Sequence, residues 1–151
     1  MIYKKGDLIQ AFKDNDVDCI MHQIHCQGGR YAGFAGKLLQ EFSECIPLEP
    51  CTPGSYYAVQ DIISLGSQIN PGNATMADGY IERLNLLEKA INAIVSDDTQ
   101  VLNYRIGIPL IGSGLGADLG LKKDMTDLEY FKQYIAPTLD ELGLNFIAYY
   151  L

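Results

Sequence analysis

Tyr104-Arg105-Ile106-Gly107-Ile108-Pro109-Leu110-Ile111-Gly112-Ser113-Gly114-Leu115-Gly116-Ala117-Asp118-Leu119-Gly120 is the stretch whose reading decides the fold. A run rich in isoleucine and leucine stops at Gly112, after which glycine recurs at Gly114 and Gly116. The run has the composition of a buried strand. Alternating glycines at its end leave peptide N–H groups uncovered by side chains, a turn that can wrap an anion. The same glycines also suit a tight turn with no ligand, and one loop alone does not separate the two readings. A second segment bears on the choice: Gly28, Gly29, Gly33 and Gly36 follow another apolar run, Cys19-Ile20-Met21. Nine of the fifteen glycines fall in these two segments, each at the C-terminal end of a predicted strand. That is where open α/β sheets bind ligands.

The rest of the chain alternates strands and helices. Residues 2–4 read as a first strand ending at Gly6-Asp7, residues 8–13 as one or two helical turns, and 18–22 as a buried strand. Phe34, Leu38 and Phe42 recur at helical spacing, which predicts a helix over 33–43. Pro47, Pro50, Pro53 and Gly54 make a loop. Residues 55–59 and 62–69 are predicted strands, antiparallel across Gln60-Asp61. Thr75 with Asp78 forms a capping pattern for a long helix whose apolar face is Tyr80, Leu84, Leu87, Ile91 and Ile94. The key strand is predicted over 101–111. Thr126 and Glu129 open a last helix with Leu128, Phe131, Ile135, Leu139 and Leu142 inward, kinked by Pro137 and ended by Gly143. Residues 144–151 close the chain as a strand. Such alternation implies a three-layer α/β/α domain on a mixed sheet, a single domain over residues 1–151.

Composition narrows the function classes. At 151 residues one domain can bury roughly 70% of its unfolded surface. Eleven basic residues against nineteen acidic ones give a net charge of −8, with no lysine or arginine cluster. That balance disfavours polynucleotides, which need several basic phosphate contacts. It permits a small phosphorylated ligand held by backbone donors. No apolar run approaches twenty residues, and no membrane association is expected. Cys19, Cys26, Cys45 and Cys51 show no Cys-x-x-Cys spacing, so free thiols in a reducing cytoplasm are expected. A zinc set of His22, His25 and Cys26 fits no familiar spacing, and neither a metal nor a cofactor is expected.

The order of signals resembles the macro domain, the ADP-ribose-binding module, from Lys5-Gly6-Asp7 to Tyr149-Tyr150-Leu151. Within that family it looks most like the branch of terminal ADP-ribose protein glycohydrolases and related phage and bacterial proteins. His22-Gln23-Ile24-His25-Cys26-Gln27 and Ala32-Gly33-Phe34-Ala35 match that branch in order and spacing. The resemblance implies that ADP-ribose, free or on a modified protein, is the partner. Asp7, with Leu8 beside it, would accept from the adenine amine, or would simply cap the following turn. Tyr149 would stack on adenine, or would pack in the core. Ile111, Gly112, Ser113, Gly114, Leu115, Gly116 and Ala117 would cradle the diphosphate. Gly33, Phe34 and Ala35, at a helix N-terminus, would face it from the other side. His25 and Gln27 would meet the distal ribose. His22 reads as a packed histidine at the strand end.

Catalysis stays open at this stage. The lysine position of the glycohydrolase branch falls on Leu39, and Lys37 sits about 200° round the helix from it. The branch's aspartate position falls on Gly116, with Asp118 two residues on. His25 or Asp118 is the candidate general base, and Cys26 a candidate nucleophile. Binding of ADP-ribose or a close derivative is therefore the leading expectation. The alternative is a hydrolase acting on ADP-ribosylated protein or on ADP-ribose 1″-phosphate.

Overall fold

The computed structural model describes residues 1–74 and 78–151. In chain order come β1 (Ile2–Lys5), α1 (Leu8–Lys13), β2 (Cys19–His25), α2 (Gly33–Glu41), β3 (Tyr56–Val59), β4 (Ile62–Gln68) and α3 (Tyr80–Asp97). A 3₁₀ turn (Thr99–Asn103), β5 (Ile106–Ile108), α4 (Leu119–Lys122) and α5 (Asp127–Tyr130) follow. A π segment (Phe131–Ile135), α6 (Ala136–Glu141) and β6 (Phe146–Tyr150) complete the chain. The strands form one sheet in the order β1-β6-β5-β2-β4-β3, with only β3 antiparallel to its neighbour.

Side chains alternate across the sheet and build two cores. Cys19 and Met21 of β2 join Leu84, Leu87, Ile91 and Ile94 of α3 and Tyr130, Phe131, Ile135 and Leu139 of the C-terminal helices. Ile20, on the opposite face, joins Leu8, Ile9 and Ala11 of α1, Leu38 of α2, and Ile62 and Ile147. Helices cover both faces, as the alternating pattern implies, and β2 is apolar on both sides because it lies in the middle.

The topology decides where a ligand can sit. From β2 the chain travels through α2 and β3 to β4; from β5 it travels the opposite way, to β6. The neighbouring strands β2 and β5 are therefore a switch point, and the crevice lies beyond their C-terminal ends. Only two residue pairs register them, Cys19 with Ile106 and Ile20 with Gly107. Their starts are pinned by Arg105, whose amide and guanidinium both donate to the Asp18 carboxylate at 2.7 to 3.2 Å. The Arg105 guanidinium holds that carboxyl below its usual range.

Four local differences from the sequence reading have physical reasons. The strand predicted over 101–111 is only Ile106–Ile108, because Asp98 caps a 3₁₀ turn and Pro109 has no donor to continue the ladder. The long helix starts at Tyr80, since Asp78 turns inward to Arg83; Thr75 lies outside the described residues. The last helix does open on Thr126, whose hydroxyl accepts from the Glu129 amide at 3.1 Å. Ahead of Pro137 it widens into a π segment, the form the predicted kink takes. Finally, Asp118 caps the short helix α4, which the apolar pattern did not announce.

Candidate functional site

The first glycine-rich loop, residues 26–32, leaves β2, and the second, residues 109–118, leaves β5. The parallel pairing of these strands brings the two loops together: a side chain added at Gly33 would begin 4.0 Å from Leu115 Cδ1. Positive φ angles of 59° at Gly33 and 71° at Gly112 make the two bends, a conformation that disfavours any residue with a Cβ.

Which amides are already spent can be counted along each loop. In the second loop Ser113 donates to Leu110, Ala117 to Gly114, and Asp118 to the Tyr130 hydroxyl. Among the described residues, the amides of Gly112, Gly114, Leu115 and Gly116 find no acceptor. Across the contact, α2 begins without a side-chain cap, and the amides of Gly33, Phe34 and Ala35 likewise have no acceptor among the described residues. Two sets of uncommitted donors, one of them a helix N-terminus, thus adjoin each other. That is the chemistry of an anion site.

Several residues that sequence spacing could not flag hold the second loop in shape. Arg83 and Asp78 form a buried ion pair at 3.0 Å. The same guanidinium donates to the carbonyls of Asn70, Gly72, Asn73 and Gly116, tying the segment after β4 to the second loop. Gln68 donates to Gln23 at 2.9 Å just beneath, and a side chain at Gly116 would begin only 2.6 Å from Gln68 Nε2. Lys122 donates to the Ser113 carbonyl at 2.5 Å and to Asp127, bringing a cation to the loop. The lone hydroxyl of the buried Ser113 turns back to Ile111.

The candidate residues divide by what they touch. Oδ1 of the exposed Asp7 caps α1 through the amides of Ile9 and Gln10, and Leu8 is core. Gln27 links the first loop to Ile69 at 2.8 Å. Phe34 packs edge-on against His22, and Ala35 is buried. Ile111 and Ala117 are buried anchors of the second loop, while Leu115 is 67% exposed at its tip. Tyr149 follows Ala148, which is in register with Ile108, so it lies at the sheet edge from which the second loop leaves. It is 8% exposed in the smaller core, and after burial the charges acting on its phenol are Asp16 and Arg105, which precede β2 and β5. Leu39, where the branch's lysine would fall, packs against that core, and Lys37 is exposed.

The histidines are engaged internally. His25 Nε2 lies 2.6 Å from the Arg30 carbonyl and Nδ1 accepts from the Gln27 amide at 3.3 Å, so the proton resides on Nε2. Tyr31 stacks on its ring at 4.8 Å and bonds the Pro47 carbonyl, so this histidine shapes the first loop. Asp118 Oδ1 caps α4 through Gly120 and Leu121. His22, fully buried, meets Ser64 Oγ at 2.7 Å, and burial holds its pKa down to about 3. A histidine lowered in this way favours folding above its unfolded pKa near 6.5, and that contribution is lost as pH falls toward 3. Each pH unit in that window costs up to about 1.4 kcal/mol. A His22→Asn variant is therefore expected to show a flatter loss of urea midpoint from neutrality to about pH 5. Equal slopes would remove His22 from the acid sensitivity.

Among the described residues no group of three or more His, Cys, Asp and Glu can hold a metal, and no helix is long and apolar enough to cross a membrane. A cavity of about 210 Å³ lies away from the glycine-rich crevice, lined by Pro47, Glu49, Cys51, Tyr56, Tyr57 and Ser64 among others. A gap of about 10 Å³ lies beneath Gly112 and Gly116, lined also by Gln23, Tyr80 and Arg83.

The fold has solved counterparts. The macrodomain of Mycobacterium tuberculosis DarG superposes with a TM-score of 0.63 at 15% identity, covering 98% of this chain and 95% of that one. The macrodomain of Thermus aquaticus DarG gives 0.61 at 16% identity, covering 99% and 97%. An alphavirus P23pro-zbd structure gives 0.61 at 16% identity, with this chain spanning 22% of its length. No protein-family model and no curated protein matches the sequence. The chain therefore has the macro-domain fold, a mixed α/β sheet with helices on both faces.

Proposed function

We propose that this chain, acting as one domain, binds ADP-ribose or a close derivative between its two glycine-rich loops. One observation carries the reading: the amides of Gly112, Gly114, Leu115 and Gly116, which have no acceptor among the described residues, adjoin the start of α2, which has no side-chain cap there. A diphosphate laid there receives main-chain donors from both sides, which suits an acidic chain. The likeness to two solved macrodomains supports the same ligand class. Binding is favoured over hydrolysis because both His25 nitrogens and Asp118 Oδ1 are occupied within the fold. Isothermal titration with ADP-ribose tests the reading, and a turnover assay on ADP-ribosylated protein and ADP-ribose 1″-phosphate tests the hydrolase alternative. Saturable heat without turnover is expected; absence of heat at millimolar ligand would sink it.

Asp7 offers a sharper probe, because its two roles separate chemically. Serine caps a helix about as well as aspartate, so Asp7→Ser should leave stability within a few tenths of a kcal/mol. It removes the carboxylate oxygen proposed to accept from adenine. The expected result is weaker ADP-ribose binding at unchanged melting temperature, and unchanged affinity would leave Asp7 with its capping role alone.

A further inference from the structure

We propose that Cys26 and Cys51 form an oxidisable dithiol, a modification site that a hydroperoxide converts into an intramolecular disulfide behind the first glycine-rich loop. The two sulfurs flank one gap: a side chain at Gly66 would begin 3.2 Å from Cys26 Sγ and 3.1 Å from Cys51 Sγ. Glycine at that point of β4 leaves the space between the thiols clear. The backbones are also in contact, since the Cys51 amide donates to the Cys26 carbonyl at 3.1 Å. Directly bonded neighbours of this kind fall within the Cα separation that a disulfide bridges. The other two cysteines are ruled out as partners for each other by the fold: Cys19 lies in the larger core and Cys45 in the smaller, on opposite faces of the sheet.

Reactivity is divided between the pair. Cys26 is buried, and burial followed by its hydrogen bond with Cys51 pushes its thiol up to about 12. Cys51 is half-buried and lines the cavity of about 210 Å³, which gives a small oxidant access. The Cys51 thiolate therefore attacks first. Its sulfur takes the terminal hydroperoxide oxygen, the O–O bond breaks, and the departing alkoxide collects a proton to leave as alcohol. The Cys26 sulfur then attacks the Cys51 sulfenic acid, the S–O bond breaks, and the hydroxyl leaves as water with the Cys26 proton. Two thiols have lost two electrons and two protons, and a thiol reductant reverses the bond by exchange.

The linkage acts on the first loop. The segment holding Cys51 already lies along it, with the Gly29 amide donating to the Leu48 carbonyl at 2.8 Å. A side chain at Gly28 would meet that carbonyl at 2.7 Å. A covalent tie at Cys26 fixes this contact and slows opening of residues 26–32.

The test uses the full chain, reduced, freed of reductant and treated with a few equivalents of hydrogen peroxide. Thiols counted after denaturation should fall from four to two, and dithiothreitol should restore them. Tryptic peptides Asp14–Arg30 and Leu38–Arg83 should appear linked, with fragmentation placing the bond between Cys26 and Cys51. Amide exchange across 26–32 should slow in the oxidised form. Cys51→Ser, a mild change at a half-buried position, should keep its three thiols and show no linked peptides. A bond mapped to Cys19 or Cys45, a cross-link between chains, a count that stays at four, or unaltered loop exchange would each overturn the proposal.

Discussion

Arg83→Met is expected to cost about 3–5 kcal/mol of folding stability, because it strands the Asp78 carboxylate in the interior. Asp78 is 0% exposed and Arg83 4%, so neither charge is relieved by water. The methionine fills similar volume, which confines the loss to charge and hydrogen bonding. Four carbonyls, of Asn70, Gly72, Asn73 and Gly116, lose their donor in the same step. A double variant, Arg83→Met with Asp78→Leu, removes the orphaned charge but leaves those carbonyls, so only partial recovery is expected. The chain has no tryptophan, and urea denaturation followed by far-UV circular dichroism is the suitable measurement. A loss below about 1 kcal/mol for the single variant would show that the pair does not brace the second loop.

Gly114→Val should do the reverse, sparing the fold and abolishing the ligand. A side chain at Gly114 meets nothing within 4 Å, and its φ is not among the positive ones, so valine fits without strain. Its methyl groups stand over uncommitted amides, where the diphosphate is proposed to lie. Affinity for ADP-ribose should drop about a hundredfold or more, roughly 2.7 kcal/mol, with the melting temperature unmoved. Wild-type affinity in a folded Gly114→Val protein would move the phosphate site elsewhere. Gly116→Val is the poorer control, since its Cβ would displace the Gln68 amide from Gln23 and so confound altered loop support with lost binding.

What was legible in the sequence is what local chemistry specifies. Phe34 and Leu38 at helical spacing, the Gln60-Asp61 hairpin with φ of 52° and 65°, and the Thr126 cap all reappear, because each is set by residues a few positions apart. Glycine clustering at strand ends likewise marked the turns that leave β2 and β5, with positive φ at Gly28, Gly29, Gly33 and Gly112. The supports of the crevice were not legible. Arg83 reaches carbonyls on both sides of itself in sequence, one of them 33 residues away, and arginine in an amphipathic helix ordinarily faces water. Lys122 reads as a surface residue until α4 folds it onto Ser113. Val101 misled by hydrophobicity: it is buried, but on a 3₁₀ turn that plugs the core and not on a strand. Tyr149 shows the limit of alternation, which fixes a residue's face and leaves open whether that face is solvent, ligand or core.

Peptide donors carry no proton that dissociates in the ordinary aqueous range, unlike histidine or lysine recognition built from side chains. A groove lined by the amides of Gly112, Gly114, Leu115 and Gly116 accordingly has no titration of its own. The anion binding proposed there should persist wherever the anion stays ionised and the chain stays folded. Main-chain recognition is also indifferent to the identity of most neighbouring side chains, so the proposed site can outlast wide divergence in sequence provided the bends survive.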